Sequence, residues 1–413
     1  MNNIHQDKKT VNSNQKEFPY TSIQGAARRF SDCFSSYMES PSQFFSMNYL
    51  TSLGAVVSSK VTMKTEIHPQ PRLYSIIVGE SADDRKSESI RQTVNFFTET
   101  LRDKTDVPFR TCMGLGSAEG LSFQAKGVQD LLLVYDELKS FVSKAQIDGS
   151  ILTPCINTLF DQNTFHSSTK KTSVTLDNLH LSMMGACTLD TYLRMWTPAF
   201  LDIGFINRLW LVTGKGERKF SIPKLIPDKE KDELRGELLT ILKFVDDLPK
   251  KDSGRYAMPI EEDSLELFHS WYITQPENSP LTKRLDTYGH RFLLLLSINE
   301  QKKTITPEIT KRVIDLLDWQ LNVRKELEPD DCETMIAKIE KIIVRVLSKG
   351  PLRKRDLQQK CHYHRFGTYF WNLAIRSLKE DGQLISSKSG EYFLCRDDTN
   401  ERNEDDRWSM EMN

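Results

Sequence analysis

The sequence has almost no excess of charge and no long apolar run. It contains 56 lysine and arginine residues against 57 aspartate and glutamate residues, so its net charge is −1. Whole-chain charge therefore argues neither for nor against nucleic acid as a partner, and any affinity for DNA must come from local basic patches. The polar residues 1–17 lack the apolar core of a signal peptide, and no later run approaches a membrane span. These absences predict a cytoplasmic protein without a membrane partner.

The sequence also lacks a framework of paired cysteines. Its 7 cysteines are scattered and none forms a C-x-x-C pair, and their odd number favours reduced thiols in a reducing compartment. We find no nuclease or protease signature and no metal cluster of a primase. The length of 413 residues predicts two or three domains, and a hydrophobic content of 38% is sufficient for sizeable cores.

One segment has the pattern of a phosphate-binding loop. Residues 73–78 form an almost continuous apolar run, which is typical of a strand covered on both faces of a parallel sheet. From Ser87 the apolar residues recur at spacings of three and four, which predicts an amphipathic helix. Backbone N–H groups, the Lys86 ammonium and the Ser87 hydroxyl would converge there on phosphate and magnesium. The predicted nucleotide loop comprises Gly79, Glu80, Ser81, Ala82, Asp83, Asp84, Arg85, Lys86, Ser87 and Glu88.

This loop departs from the usual G-x-x-x-x-G-K-[ST] spacing. Gly79 lies one residue too far from Lys86, and Arg85 replaces the second glycine. Asp83 and Asp84 bring negative charge near the expected phosphate, which is unfavourable unless their carboxylates point outward or serve elsewhere. A surface turn that happens to carry lysine and serine explains the segment alone equally well.

A second apolar run ends in two acidic residues. Residues 131–134 lead into Tyr135, Asp136 and Glu137. An acidic pair at the carboxyl end of a buried strand, downstream of a phosphate loop, is the arrangement that holds hydrated magnesium and polarises a water molecule. Asp136 is predicted to bind the metal and Glu137 to act on the water, with ATP and Mg²⁺ as ligands. The alternative is an acidic pair that opens the next helix.

Several segments together resemble a known family. They are VGESADDRKSES (78–89), GLGSAEGL (114–121), LLLVYDELKSF (131–141), LFDQNTF (159–165) and GFINRLWLV (204–212). The chain resembles phage- and plasmid-encoded RecA-like ATPases related to primase-associated helicases, over most of residues 40–390. The resemblance implies an α/β fold with a RecA-like P-loop NTPase core preceded by a helical extension. Phosphate loops of this family often end in Arg-Lys, as this one does.

The resemblance also implies roles for residues in the core. It makes Lys86 the phosphate lysine, Ser87 the magnesium hydroxyl and Asp136 the metal carboxylate. Glu119, inside GLGSAEGL, competes with Glu137 as the catalytic base, and Glu137 is narrowly preferred.

Two later residues complete the expected catalytic set. Thr188, just past the third apolar strand, would sense the γ-phosphate, although a plain strand-ending threonine explains it as well. Arg208 would be an arginine finger supplied to the nucleotide of a neighbouring subunit in a ring or filament. An interface or helix-start ion pair is the alternative for Arg208.

Patterns along the chain predict six parts. They are a disordered tail (1–17), a helical extension (18–65), the ATPase core (66–225), a helical domain (226–330), a winged helix (331–395) and an acidic disordered tail (396–413). Phe44 to Val57 are predicted to form a helix with one apolar side against the sheet. In the helical domain, Arg284 and Arg291 flank a helix, where they either act on nucleotide from a lid or face solvent.

Three elements of the sequence pattern predict the winged helix: an amphipathic helix that ends at Gly350-Pro351, two further helices, and two short strands. Basic residues outnumber acidic ones there, which suits contacts with DNA phosphates. The predicted DNA-binding residues are Arg353, Lys354, Arg355, Lys360, Arg365, Arg376 and Lys379. The interleaved aromatic residues are either core or stacking platforms. Use of this domain for protein contacts is the alternative.

The sequence leaves three functions open. The first is a DNA-dependent ATPase motor, helicase-like and oligomeric, that serves replication or mobilisation of a mobile genetic element. The second is a nucleotide-gated switch or defence-type ATPase that assembles with partner proteins and unwinds no DNA. The third is a nucleotide-free scaffold whose phosphate loop has decayed.

Overall fold

The computed structural model describes residues 17–80, 84–103, 109–168, 173–196, 203–250, 254–276, 279–328, 335–363, 366–387 and 390–395. The chain divides into two compact units, one of residues 14–329 and one of residues 330–413 with residues 1–13. The predicted tails lie outside the described residues except for Glu17. Within the described ranges, no helix is both long and apolar enough to cross a membrane.

A parallel sheet of five strands lies at the centre of the larger unit. The strands of this unit are β1 (Val61–Met63), β2 (Tyr74–Gly79), β3 (Thr111–Met113), β4 (Asp130–Tyr135), β5 (Phe165–Ser168), β6 (Ser173–Leu176), β7 (His180–Thr188), β8 (Trp210–Thr213) and β9 (Tyr256–Met258). The central sheet has the order β3-β4-β7-β2-β8. All its pairings are parallel. The predicted parallel sheet is confirmed.

The register of the sheet brings the predicted motifs to one edge. Every residue of β2 is buried, as expected for an apolar run covered on both faces. Gly79, at the end of β2, lies opposite Thr188 of β7, and Tyr135, at the end of β4, lies opposite Gly185. The phosphate loop and the acidic pair therefore leave the sheet at its carboxyl edge.

Helices cover both faces of this sheet. Within its described residues, the helices of the larger unit are α1 (Gly25–Tyr37), α2 (Ser42–Val57), α3 (Lys86–Leu101), α4 (Ala118–Gln124), α5 (Leu138–Ala145), α6 (Leu152–Asp161), α7 (Leu189–Arg194), α8 (Asp228–Asp246), α9 (Glu262–Ile273), α10 (Leu285–Asn299) and α11 (Pro307–Glu326). Single 3₁₀ turns occur at Tyr20–Ser22 and Ile206–Arg208.

Helix α2 differs from the expected one-sided helix. All its residues after Ser42 are buried, because α1 and α3 cover the sides that the sheet does not. The rings of Phe30 and Phe34 in α1 pack against that of Phe45 in α2, edge-to-face at 6.3 Å and tilted at 5.6 Å between centroids. A polar contact also ties α2 to the sheet, since the hydroxyls of Thr51 and Ser75 lie 2.8 Å apart.

Helix α10 is buried along nearly its whole length, and this overturns both expectations for Arg291. The Arg291 side chain is 4% exposed and donates to the carbonyls of Arg72, at 2.9 Å, and Phe160. It therefore neither faces solvent nor belongs to a mobile lid over a nucleotide. Its guanidinium fastens α10 to the residues just before β2.

The described residues of the smaller unit form three α-helices and a three-stranded sheet. Its elements are α12 (Met335–Leu347), β10 (Leu352–Arg353), α13 (Lys354–Lys360), α14 (Thr368–Glu380), β11 (Leu384–Ser386) and β12 (Glu391–Leu394). The strands pair antiparallel in the order β10-β12-β11. Ile339, Ile343, Leu357 and Trp371 form the centre of its own core. This element order is the one predicted for a winged helix, with β10 as an additional short strand.

Candidate nucleotide site

The loop between β2 and α3 closes through a residue in the left-handed conformation. Arg85 has φ 48° and ψ 37°, a region that glycine adopts without strain and other residues adopt at a cost. Its guanidinium pairs with Glu39 at 3.1 Å, and its carbonyl accepts a hydrogen bond from the hydroxyl of Ser40 at 3.0 Å. Arg85 therefore stands where a glycine is usual because neighbouring side chains hold its backbone.

Asp84 is part of the loop's own framework. Its side chain is 2% exposed, and its carboxylate accepts from the backbone N–H groups of Glu80, at 2.5 Å, and Gly216, at 2.7 Å. A Cβ atom on Gly79 would lie 2.5 Å from this carboxylate, so only glycine fits there. Ser81, Ala82 and Asp83 lie outside the described residues.

The Lys86 ammonium is held inside the loop. It donates to the carbonyl of Gly79 at 3.1 Å and to that of Glu80. Burial lowers the pKa of Lys86, and the negative charges of Asp84 and Glu137 counteract part of this effect. The ammonium therefore sits at the start of α3, bound to two backbone carbonyls and close enough to Asp84 and Glu137 to be affected by their charges.

The two residues that follow Lys86 differ in their contacts. Ser87 is exposed at the first turn of α3. Glu88 accepts hydrogen bonds at 2.6 Å from both Arg91 and Gln92 in the next turn of the helix. The carboxylate of Glu88 is thus engaged along α3.

Of the two candidate bases, Glu137 lies near Lys86. It follows β4 and accepts a hydrogen bond from the thiol of Cys187 in β7, and burial together with Glu137 raises the pKa of that thiol. Glu119 is exposed at the start of α4, and its charge acts on Cys155 of α6 instead. Asp136 is exposed beside Glu137.

Thr188 caps the helix that follows it. Its hydroxyl accepts from the backbone N–H of Thr191 at 3.2 Å and donates to the hydroxyl of Thr191 at 2.8 Å. It nevertheless lies beside Gly79 in the sheet register. The structure therefore places Thr188 next to the loop while giving its hydroxyl a capping role.

A cavity of about 710 Å³ opens beside the loop, within the range of small-molecule sites. It is lined by Met38, Glu39, Ser40, Arg85, Lys86, Ser87, Glu88, Gln92, Phe220, Ser221, Pro223, Lys224, Leu225, Ile226 and Lys231. Glu39 joins two of its walls, because its carboxylate also accepts from the N–H groups of Lys219, at 3.0 Å, and Phe220, at 3.1 Å. The N–H of Phe220 is the main cause that lowers the pKa of Glu39.

Arg208 lies at the opposite edge of the sheet. Its carbonyl shares the hydroxyl of Tyr288 with the carbonyl of Tyr74, the first residue of β2. A strand of six residues spans roughly 20 Å, so Arg208 does not reach a phosphate at Lys86 of the same chain. Its guanidinium pairs with Asp161 of the same chain at 3.0 Å.

The predicted DNA-binding residues lie on the surface of the smaller unit. Exposed members are Arg353, Lys354, Arg355, Lys360, Arg376 and Lys379, and Arg365 lies outside the described residues. Trp371 is 2% exposed and belongs to the core, whereas Tyr369 and Phe370 at the start of α14 are 71% and 40% exposed. The aromatic residues therefore divide into core and surface members.

Sequence reasoning missed Glu39, Ser40 and Asp161. Glu39 and Ser40 lie in the turn between α1 and α2, far in sequence from the loop that they hold. Asp161 lies within LFDQNTF, which contributed to the family resemblance without a role. Only a sequence signal that pairs distant positions would have found these three residues.

Among the described residues, no group of three or more His, Cys, Asp or Glu side chains could hold a metal ion by itself. Magnesium in nucleotide sites needs only one or two protein oxygens, since phosphates and waters supply the rest. The Ser87 hydroxyl and the Asp136 carboxylate are both exposed, next to the ends of β2 and β4. Their oxygen chemistry fits that requirement.

Comparison with known proteins finds similarity among solved structures. No protein-family model matches the chain, and no curated protein matches it. Among solved structures, the chain is similar to a full-length MCM homolog from Methanopyrus kandleri, with a TM-score of 0.38 and 11% identity. The alignment covers 71% of this chain and 58% of that protein, so this chain spans less than two thirds of its length.

Proposed function

We propose that the larger unit is a RecA-like P-loop ATPase that binds ATP with Mg²⁺ at the carboxyl edge of its sheet. The observation that carries this proposal is the meeting of Lys86 and Glu137 at one edge, beside a cavity of about 710 Å³. A lysine at the start of a 16-residue helix after a buried strand combines a positive side chain with a helix N-terminus. These groups together suit a polyphosphate.

The residues take distinct parts in the proposed reaction. Lys86 exchanges its two carbonyl partners for phosphate oxygens, which form stronger charge-assisted hydrogen bonds. Ser87 and Asp136 hold magnesium, which supplies charge neutralisation when bound. Glu137 accepts a proton from the attacking water. Thr188 is the candidate that faces the γ-phosphate.

The cavity beside the loop is the proposed position of the nucleoside. Its walls combine apolar side chains of Met38, Pro223 and Ile226 with polar ones of Gln92 and Lys231. A mixed lining of this kind is usual for ligands that carry a ring and a few polar groups.

The smaller unit is proposed to bind DNA through its exposed basic residues. The whole chain would then act as an oligomeric, helicase-like motor of a mobile genetic element, as the family resemblance suggests. The nucleotide site of its own chain lies at the far edge of the sheet, so a catalytic role for Arg208 requires the nucleotide of a neighbouring copy. We propose that role for it. Replication, mobile-element or defence proteins are the proposed partners.

Steady-state ATP hydrolysis, measured with and without single-stranded and duplex DNA, tests the proposal. We expect hydrolysis that DNA stimulates, and its loss in Lys86→Ala and Asp136→Ala. Hydrolysis that is insensitive to DNA would favour the nucleotide-gated switch that assembles with partners. If the protein binds no nucleotide, both the motor and the switch are excluded, and the nucleotide-free scaffold is the remaining function.

A matched pair of variants separates the proposed finger from a structural ion pair. Arg208→Ala should abolish hydrolysis and spare ATP binding. Arg312 forms a comparable pair with Glu300 at 2.6 Å, so Arg312→Ala serves as the control for loss of an ion pair. An active Arg208→Ala enzyme would remove this residue from the site.

A further inference from the structure

A second cavity, of about 670 Å³, opens at the amino edge of the sheet. One wall is the segment from Ile203 to Arg208, and the other runs from Pro280 to Thr287. Arg324, which is 5% exposed, ties these walls together. It donates to the carbonyls of Leu281, at 2.9 Å, and Lys283, at 2.7 Å, on one side and to that of Asn207, at 3.1 Å, on the other. These hydrogen bonds of Arg324 hold the two walls of the cavity together within the larger unit.

The lining of this cavity carries three cations. They are Arg208, Lys283 and Arg284, and Asp286 is the carboxylate among the lining residues. Asp161 pairs with Arg208 at 3.0 Å and also with Arg284. One carboxylate is thus shared by two guanidinium groups, and Lys283 adds a third positive charge.

More positive charge lies behind the cavity. The ring of Phe160 is 5.9 Å from the guanidinium of Arg208, 6.0 Å from that of Arg284 and 3.7 Å from that of Arg291. Arg291 is buried, and its main hydrogen-bond partners are neutral carbonyls. Because buried charges are usually balanced, this excess of arginine favours an anion in the cavity.

Backbone and side-chain donors add to this preference. Helix α10 begins at the cavity, and the side chain of its N-cap residue, Arg284, makes no capping hydrogen bond. The N–H of Leu285 donates to the carbonyl of Thr282 at 3.1 Å, and the positive end of the helix dipole at this point favours an anion. Within the described part of the chain, Nε of Arg208 is buried without a hydrogen-bond partner. The helix start and this guanidinium add to a lining in which cations outnumber carboxylates.

We propose that this cavity binds phosphate groups, with Arg208 and Arg284 as a two-arginine fork and Lys283 as the third cation. Planar guanidinium groups match phosphate oxygens in bidentate geometry, and the ligand competes with Asp161 for them. The phosphate comes either from free polyphosphate or from a nucleotide bound at Lys86 of a second copy. The second source rests on the proposed function, whereas the binding site itself does not.

Titration with pyrophosphate tests the site in a protein whose Lys86 loop is disabled. In Lys86→Ala, we expect saturable binding in low salt. Adding Arg284→Gln or Lys283→Gln should weaken it at least tenfold. Both side chains are partly exposed, so these variants are expected to fold, and thermal melts check that they do. Arg235, which pairs with Glu99 and Asp232 on another surface, provides the control: Lys86→Ala with Arg235→Gln should bind as Lys86→Ala does.

The results of this titration test the phosphate site independently of the proposed ATPase activity. If Lys86→Ala binds no pyrophosphate, or if Arg284→Gln leaves its affinity unchanged, the phosphate site is refuted. If the binding depends on Arg284 and the wild-type protein neither binds nor hydrolyses ATP, the site stands and the proposed function fails.

Sedimentation velocity with a non-hydrolysable ATP analogue identifies the source. Analogue-dependent self-association that both Lys86→Ala and Arg284→Gln abolish assigns the phosphate to a second copy. Pyrophosphate binding without such association assigns it to free polyphosphate.

Discussion

The carboxylate of Asp84 accepts a hydrogen bond from the backbone N–H of Glu80 at 2.5 Å, so it bridges the two ends of the nucleotide loop. Its other oxygen accepts from the N–H of Gly216 at 2.7 Å, in the segment that follows β8. One buried side chain thus closes the loop and fastens it to the segment after β8, whose later residues line the neighbouring cavity. The acidic residue that looked unfavourable in the sequence is a structural part of the loop.

Replacement of Asp84 should therefore destabilise the protein. Asp84→Ala leaves two N–H groups without their acceptor, and we expect a loss of about 1–3 kcal/mol for each one that stays buried. Asp84→Asn keeps one acceptor oxygen and should lose less. Urea unfolding measures the difference, with the exposed Asp136→Asn as the control, which should change stability by less than about 0.5 kcal/mol. An Asp84→Ala protein as stable as the wild type would contradict this role.

The two candidate bases should differ in their effect on hydrolysis. Beside the larger effect of burial, the negative charge of Glu137 raises the pKa of Lys86 and of Cys187, whereas that of Glu119 raises the pKa of Cys155. We expect Glu137→Gln to lower the hydrolysis rate by about 10²–10⁴-fold, the usual contribution of general-base catalysis, while ATP still binds. Glu119→Gln should hydrolyse ATP at the wild-type rate. A slow Glu119→Gln with an active Glu137→Gln would assign the base to Glu119.

Local sequence patterns were sufficient for strands β2, β4 and β7 and for the position of Lys86 at the start of α3, but they did not predict β3. Strands β2, β4 and β7 follow apolar runs because both faces of a parallel sheet are covered. The long-range contacts at the two cavities were beyond such patterns. Beside the nucleotide loop, Glu39 accepts from Phe220 across 181 residues, and at the amino edge of the sheet Arg284 pairs with Asp161 across 123. The same holds for α2, whose full burial depends on α1 rather than on its own periodicity.

A buried histidine should make stability depend on pH. His180 contacts Gln70 through Nδ1 at 2.7 Å and Arg255 through Nε2 at 3.3 Å. Burial first, and then the charges of Arg72 and Arg255, lower the pKa of His180 to about 3, from an ordinary value of 6.5. The unfolded chain therefore takes up the proton first as the pH falls. The stability that neutral His180 contributes is present above pH 6.5 and is lost progressively toward pH 3.

A neighbouring carboxyl group opposes this effect, so the measurement needs variants. Burial raises the pKa of Asp130 to about 6, and protonation of the folded state there stabilises it as the pH falls below 6. We expect the stability of the wild type relative to His180→Gln to fall between about pH 7 and pH 5, by at most about 1.4 kcal/mol per pH unit. The wild type relative to Asp130→Asn should change in the opposite direction. A difference that does not vary with pH for His180→Gln would refute the buried neutral imidazole.

The basic turn of the smaller unit should contribute to the salt dependence of DNA binding. Arg353, Lys354 and Arg355 are exposed where β10 meets α13. Charge reversal of all three should weaken duplex binding, and it should flatten the log–log salt slope by about 0.9 for each phosphate that these side chains neutralise in the wild type. Lys302→Glu with Lys303→Glu, in an exposed turn of the larger unit, is the control for a general change of charge. An unchanged slope in the triple variant would place the DNA-binding surface elsewhere.

Substitutions of the aromatic residues at the start of α14 should distinguish an effect on stability from an effect on DNA binding. Trp371 is 2% exposed, and Trp371→Ala should cost about 3–5 kcal/mol of stability through the cavity that it leaves. Tyr369 is 71% exposed, so Tyr369→Ala should leave stability nearly unchanged. If its ring stacks on a base, the same change should weaken single-stranded DNA binding by about 1–3 kcal/mol. Fluorescence anisotropy with short oligonucleotides measures this, and Tyr369→Phe, which keeps the ring, should bind as the wild type does. Wild-type affinity in Tyr369→Ala would show that the exposed ring does not touch the strand.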